Sequence, residues 1–414
     1  MAQLRKRIFV TAGYNSVSMG PGRKEFDPKA KDRPGIEHWI FEAGRGALAG
    51  VAHPEAIDEG VISNFMAARF CHQGNLAGFV PAIHPSLMYK PVTRVEGACG
   101  SGGMAILTGA KAVLAEVAES VLVVGAEVQN TVKSIYGADY LAGAGHYSAE
   151  RKNGHAFFFP SKFSERAGAY FAKYERDATR KGMASWYAQM VQNARTDPNA
   201  QEHHNKIEDL VAAALAPPRP DSFVEHLNVF DCSKVSDGGS ALIVASEEGL
   251  KRLGVRREDA VELVAFGQAE GDITAAPSDL TEVATTKNAV AKAFANAGIG
   301  KGDLGLLELH DCFTITAVLA LEAVGVAARG KGAAAILEGK TRRDGELPTN
   351  LSGGLIGYGH YVGGTGVRQA VDILRQLTGK AGGSQVKVKK PHGLMISMGG
   401  DDKTVSAIAF RQVS

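Results

Sequence analysis

The segment Ser120-Val-Leu-Val-Val-Gly-Ala-Glu127 runs apolar through its middle with no polar residue at alternate positions. A strand of that composition is buried on both faces, so its sheet must be covered by other layers on either side. Similar β-branched runs recur at 8–12, 60–65, 93–98 and 240–246, and again at 260–265, 305–311, 392–397 and 404–410. Helical spacing marks residues 35–50, 102–117, 162–181, 285–297, 313–325 and 364–377. This alternation predicts an α/β fold with a mainly parallel sheet.

The alternation breaks in the middle. Residues 128–235 are richer in aromatic and charged side chains, as in GHAFFFPSKFSERAGAYFAKYERD, and Pro217 and Pro218 stand near their end. They read as a largely helical insertion, a loop domain, in an N-terminal half made of 1–127 and 236–255. The C-terminal half is then 256–414.

Composition excludes several classes. The formal net charge is +2, with 22% charged residues, so no global field points to nucleic acid or a membrane surface. The basic run at 387–390 is short and reads as a solvated face. No apolar stretch has the length of a membrane span, and the run IFVTAG after the basic start is too short for a signal peptide. Cys71, Cys99, Cys232 and Cys312 are widely spaced and form no C-x-x-C pair, which argues for reduced thiols, a cytoplasmic location and no metal site in this chain. Cys71 and Cys232 read as buried spectators, Asp237 as a turn or cap residue, and His203–His204 as a surface pair.

Four blocks carry chemistry. In Arg94-Val-Glu-Gly-Ala-Cys99-Gly-Ser-Gly-Gly103 a strand runs into a cysteine and then a glycine-rich helix start. Free N–H groups and the helix dipole there favour a thiolate, and the glycines leave room for a substrate. A cysteine alone would more often be a buried structural residue; the strand–Cys–Gly–helix context reverses that balance in favour of a nucleophile. The block Gly359-His360-Tyr-Val-Gly363-Gly364 places a histidine between glycine loops ahead of a helix. Both blocks set a reactive side chain three residues before a Gly-Gly pair, which suggests a duplication with two loops facing one site. Glu308-Leu-His310-Asp-Cys312-Phe313 lies at a strand end, where α/β sites collect. Ser397-Met-Gly399-Gly400-Asp-Asp402 reads alone as a tight turn between the last two strands.

In this order and spacing the four blocks resemble the thiolase superfamily across essentially the whole chain. VEGACGSGG resembles its nucleophile loop, HDCF stands in the place of Asn-Glu-Ala-Phe, GHYVGGTG resembles the Gly-His-Pro block with Tyr361 in place of proline, and SMGG sits where many members carry Cys-x-Gly. HDCF resembles the sterol-carrier-protein-type and archaeal branch. The resemblance implies a duplicated thiolase fold, a five-layer α-β-α-β-α sandwich with a loop domain over the site, and a homodimeric core.

It also implies roles. Cys99 is the nucleophile, His360 its base, and His310 completes an oxyanion hole. Cys312 replaces the missing Cys-x-Gly cysteine as the second acid/base, since Ser397 is too weak an acid. Gly399, or its neighbour Gly400, gives a backbone N–H to a second oxyanion hole. Beside these roles, Phe157–Phe159, with Phe158 at their centre, could line an acyl pocket from the loop domain although such residues are more often core, and Phe158 and Tyr361 are the candidate substrate contacts. The implied reaction is cleavage of a β-ketoacyl-CoA by CoA, a co-substrate, with no covalently bound cofactor. A branched aromatic substrate such as benzoylsuccinyl-CoA fits the aromatic loop domain. The branch implies a small zinc-ribbon and OB-fold partner subunit. Rival readings are a biosynthetic ketoacyl synthase-like condensing enzyme, disfavoured by the Cys312 thiol, and a non-catalytic scaffold subunit, disfavoured by retention of Cys99, His310, Cys312 and His360.

Overall fold

The computed structural model describes residues 4–151 and 154–413; the parts of the expected halves and loop domain at 1–3, 152–153 and 414 lie outside the described residues. Its main elements, in chain order, are β1 (Ile8–Asn15), α1 (Ile36–Leu48), β2 (Glu59–Ser63), β3 (Val92–Val95), α2 (Ser101–Leu114), β4 (Ser120–Glu127), α3 (Phe158–Lys173), α4 (Arg176–Ala194), β5 (Gly238–Ala245), β6 (Ala260–Glu270), α5 (Ala284–Ala297), β7 (Leu304–Glu308), α6 (Thr314–Val324), α7 (Thr365–Leu377), β8 (His392–Gly399) and β9 (Thr404–Gln412). Every expected strand forms. The single helix expected over 162–181 is two, because Tyr174 is extended and the Glu175 carboxylate caps α4 by accepting from the Ala178 N–H at 2.7 Å.

The nine strands hydrogen-bond in the order β3-β2-β4-β5-β1-β6-β9-β8-β7. From the β1–β6 junction, both directions run first, last, penultimate and second strand of a half: β1-β5-β4-β2 one way and β6-β9-β8-β7 the other. This repeated order is the duplication. The expectation of a mainly parallel sheet needs correction. Only β2–β3, β2–β4 and β7–β8 are parallel. The other pairs, the joining pair β1–β6 included, are antiparallel. Burial on both faces comes here from layering, not from parallel pairing.

The layers can be read from side-chain parity. On β4, Val121 and Val123 face a core shared with α2 and α7, while Leu122 and Val124 face α1. On β8, Met395 faces the same central core, while Leu394, Ile396 and Met398 face α5 and α6. Both halves therefore close on α2 and α7, with α1 outside one and α5 and α6 outside the other, an α-β-α-β-α sandwich. Phe163 and Tyr170 of α3 and Trp186 and Tyr187 of α4 pack into the core of α5 and α6. The insertion leaves the first half and covers the second.

Candidate active site

Two equivalent helices bring the two reactive loops together. α2 precedes β4 in the first half, and α7 precedes β8 in the second. They touch glycine to glycine at their starts: a Cβ on Gly102 would sit 2.7 Å from the Gly366 nitrogen, and one on Gly366 would sit 2.4 Å from the Gly103 nitrogen. The repeat is one of topology, not of register. Cys99 lies two residues ahead of its helix, whereas His360 lies five ahead.

Cys99 stands on a strained turn. Ala98, just before it, has φ +52°, a left-handed conformation costly for a residue with a Cβ. The Ser101 hydroxyl holds the turn, accepting from the Gly97 N–H at 3.0 Å and donating to the Ala98 carbonyl. The Cys99 sulfur and one ring nitrogen each of His310 and His360 lie within 4.8 Å of one another. The two imidazoles meet edge to face, with centroids 5.3 Å apart.

His360 is clamped. Its N–H donates to Ser236 Oγ at 2.9 Å, its carbonyl accepts from Gln129 at 2.7 Å, and its Nδ1 pairs with Thr365 Oγ1 at 2.7 Å. Nε2 is therefore the nitrogen left for the thiol. His310 follows β7 in a loop fixed on either side of it. Asn350 bonds both backbone groups of Leu309, at 2.8 and 3.1 Å, and Asp311 accepts from Trp186 Nε1 at 3.1 Å and the Leu355 N–H at 2.7 Å. Among the described residues, neither ring nitrogen of His310 has a hydrogen-bond partner. Cys312 is buried, with Sγ 3.7 Å from Thr316 Oγ1.

Burial dominates the electrostatics. It pushes the Cys99 thiol up to about 12, aided by the charge of Glu127 and opposed by the amides of Gly400 and of Cys99 itself. It pulls His360 down to about 3, with the Arg368 cation as a lesser cause. It also holds His310 well below the imidazole range and Cys312 well above the thiol range. Burial thus works against the thiolate expected at the helix start and favours a neutral thiol beside a neutral imidazole.

Cys99, His310, Cys312, His360 and Gly400 all line one cavity of about 1060 Å³. Phenylalanines recur in its walls, with Phe65, Phe70, Phe157, Phe159, Phe223 and Phe230 among them. Arg33, Lys133 and Arg219 supply positive charge to its lining.

Three expected contacts fall elsewhere. Phe158 is turned into the protein, 2% exposed, and it is its neighbours Phe157 and Phe159 that reach the cavity. Tyr361 is fully buried, its hydroxyl 2.8 Å from Ser240 Oγ, and packs with Tyr358 away from the cavity. Gly399 ends β8 against the Gly97 carbonyl, with no room even for a Cβ; Gly400, at φ +65°, is the glycine whose amide reaches the Cys99 sulfur. If Gly400 takes the glycine of Cys-x-Gly, the cysteine position is Met398, which carries no acid. Ser397 packs between Gly103 and Gly366. Cys232, expected as a spectator, lines the cavity.

Sequence reasoning also missed Thr365 and Glu127. Glu127 is fully buried at the end of β4, where burial raises it to about 7 against the N–H groups that it accepts. These come from Asn64 Nδ2 and Phe65 (both 2.9 Å), Gly363 (3.0 Å) and Met66 (3.1 Å). One carboxylate thus ties the His360 loop to the loop after β2. A charge ending an otherwise apolar strand was the available signal.

A duplicated sandwich thus sets a cysteine beside two histidines, with a second cysteine in the same cavity, an arrangement suited to acyl transfer. Residues 43–248 match the thiolase N-terminal domain and 268–410 the thiolase C-terminal domain-like family. The chain is 33% identical to the acetyl-CoA acetyltransferase of Methanothermobacter thermautotrophicus, over 90% of this chain and 93% of that one. It is 28% identical to rat sterol carrier protein 2, over 94% and 70%, and 27% identical to the benzoylsuccinyl-CoA thiolase subunit BbsB of Thauera aromatica, over 72% and 74%. Among solved structures, an Ltp2–ChsH2(DUF35) aldolase shares the fold with a TM-score of 0.79 at 21% identity, covering 99% of this chain and 98% of that chain. The chain belongs to the thiolase family and is an acyltransferase.

Proposed function

We propose that the chain cleaves a β-ketoacyl-CoA with CoA by a ping-pong route. The supporting observation is the convergence of Cys99, His310 and His360 within 4.8 Å in a cavity that also holds Cys312. His360 Nε2 takes the Cys99 proton as the sulfur attacks the β-keto carbon. The amides of Cys99 and Gly400 receive the oxyanion. The bond between the α and β carbons breaks, and the departing enolate takes a proton from Cys312 while His310 and His360 face its thioester oxygen. CoA then gives its thiol proton to the Cys312 thiolate and attacks the acyl-Cys99. The Cys99 sulfur leaves and recovers its proton from His360, which closes the cycle with every proton returned.

Arg33, Lys133 and Arg219 of the cavity lining are the cations we assign to the CoA phosphates. The phenylalanine walls suit a bulky, ring-bearing acyl group, and a branched aromatic substrate such as benzoylsuccinyl-CoA is the specific assignment. The test is CoA-dependent loss of a panel of β-ketoacyl-CoA thioesters, with Cys99→Ala alongside. Cleavage of an aryl member, abolished in the variant, supports the assignment. Faster cleavage of acetoacetyl-CoA keeps the thiolase and removes the aromatic substrate.

A homodimeric core with a small zinc-ribbon and OB-fold partner is the assembly we assign. The similar aldolase is described as Ltp2 together with ChsH2(DUF35), which is in keeping with a second subunit. Mass measurement after native purification tests it: a bare homodimer with full activity removes the partner.

A further inference from the structure

We infer that Cys99, His310 and His360 together form a binding site for a thiophilic divalent cation, with Zn²⁺ the ion of best fit, and that its occupancy blocks the nucleophile. No spacing announces such a site, because the three residues lie far apart along the chain and none belongs to a spaced ligand motif.

Three observations carry the inference. The ligand atoms already lie within 4.8 Å of one another. Bond lengths of about 2.3 Å to sulfur and about 2.0–2.1 Å to nitrogen place tetrahedral donors roughly 3.3–3.7 Å apart, so the trio need close by only about 1 Å. His310 supplies that movement most readily: it is 2% exposed, and neither of its ring nitrogens is held by a hydrogen bond. A buried imidazole without a partner pays a desolvation cost that a metal bond would relieve. The donors also define the ion. Three nearby carboxylates are engaged elsewhere, Glu127 by its four N–H groups, Asp311 by Trp186 and the Leu355 amide, and Glu96 by the Ala98 amide. One sulfur and two imidazole nitrogens remain, a set that selects zinc over the oxygen-seeking Mg²⁺ and Ca²⁺.

Cys312 is not within the same radius, so water from the cavity takes the fourth position, as in zinc sites that keep one position open. On binding, the Cys99 thiol releases its proton to solvent and the sulfur bonds to zinc. No electron is transferred, and a chelator reverses the step. The cation is an inhibitor that competes with acyl-CoA for the sulfur, not a cofactor of the reaction.

The test uses the full-length protein, freed of metal with a chelator and without any acyl substrate, so its outcome is separate from that of the thiolase assay. Equilibrium dialysis against ZnCl₂ measures bound metal, and mass spectrometry follows alkylation of Cys99 by iodoacetamide. The expected result is one zinc per chain, Cys99 alkylation slowed about tenfold or more by zinc but not by Mg²⁺, and recovery with chelator. His310→Ala and Cys99→Ser are each expected to weaken zinc binding by about tenfold or more, since loss of even an outer-shell partner costs that much. Two separate variants guard against one that fails to fold. Zinc binding unchanged in both, or Cys99 alkylation unaffected by bound zinc, would overturn the inference.

Discussion

Thr365 Oγ1 lies 2.7 Å from Nδ1 of His360 and 3.2 Å from the carbonyl of Tyr361. One hydroxyl proton cannot serve both. Donated to the carbonyl, as is common for a threonine in the first turn of a helix, it leaves the oxygen to accept the Nδ1 proton. In that arrangement Nδ1 carries the proton and the Nε2 lone pair is free, the form a base must have. Thr365→Val keeps the shape and removes the acceptor. An unpaired buried N–H costs about 1–3 kcal/mol, so kcat is expected to fall about five- to 150-fold with KM little changed. Thr365→Ser restores the rate. A variant whose KM alone changes would show that Thr365 has no part in holding the base.

The neutral resting pair sets a pH signature. With Cys99 raised to about 12 and His360 lowered to about 3, burial favours the neutral pair over a thiolate–imidazolium pair between those limits. Thiolate therefore grows with pH by about tenfold per unit through the neutral range. Alkylation of Cys99 in the free enzyme is expected to follow that slope from pH 6 to pH 9. A rate that levels off at low pH would reveal a pre-formed ion pair.

Cys312 separates two kinds of acyl transfer. Breaking a carbon–carbon bond expels an enolate, a strong base that needs a proton at once, whereas transfer from a simple acyl-CoA expels a thiolate that does not. Cys312→Ser is expected to slow β-ketoacyl cleavage by about 10²–10⁴-fold while acylation of Cys99 by an acyl-CoA is largely retained. Single-turnover labelling beside steady-state cleavage makes the comparison, and equal losses in both would deny Cys312 the role of acid.

What was legible in the sequence follows from range. Every strand showed as a β-branched run, and the blocks around Cys99, His310, Cys312 and His360 showed as local departures from that pattern. What failed depended on direction. Tyr361 is adjacent to His360, yet its side chain turns to Ser240, and Phe158 lies between two phenylalanines that reach the cavity while turning inward itself. A one-residue step reverses a side chain on a strand and swings it by about 100° on a helix, so neighbours of a site are poor guides to its lining. Glu127 and Thr365 act through partners distant in sequence or through one hydroxyl, and no spacing announces them.

Glu127 makes a structural prediction of its own. Each of its oxygens accepts two N–H groups. Glu127→Gln turns one oxygen into an NH₂ group facing two donors. Stability is expected to fall by about 1–3 kcal/mol for the groups left unpaired, read as a lower urea midpoint at unchanged slope. Activity should fall with it, because the Gly363 amide in the His360 loop is one of the four donors. Unchanged stability would mean the loops are held by other contacts.

The contact between α2 and α7 sets how closely thiol and imidazole approach. Gly366→Ala would put a methyl 2.4 Å from the Gly103 nitrogen and 2.7 Å from Ser397 Oγ, distances no Cβ tolerates. Backbone lies on one side and a packed serine on the other, so the helices must part. Overpacking of this kind costs about 1–3 kcal/mol, and the helix starts that separate are the ones carrying Cys99 and His360. A misplacement of about 1 Å at reacting groups costs roughly 10²-fold in rate. The expected variant is therefore folded but slow, with a modest loss of thermal stability beside a much larger loss of kcat. Gly379→Ala is the control: its Cβ meets nothing within 4 Å, and its φ of +73° carries backbone strain without touching the site. If both variants lose stability equally and neither loses kcat beyond it, the glycine contact does not position the catalytic pair.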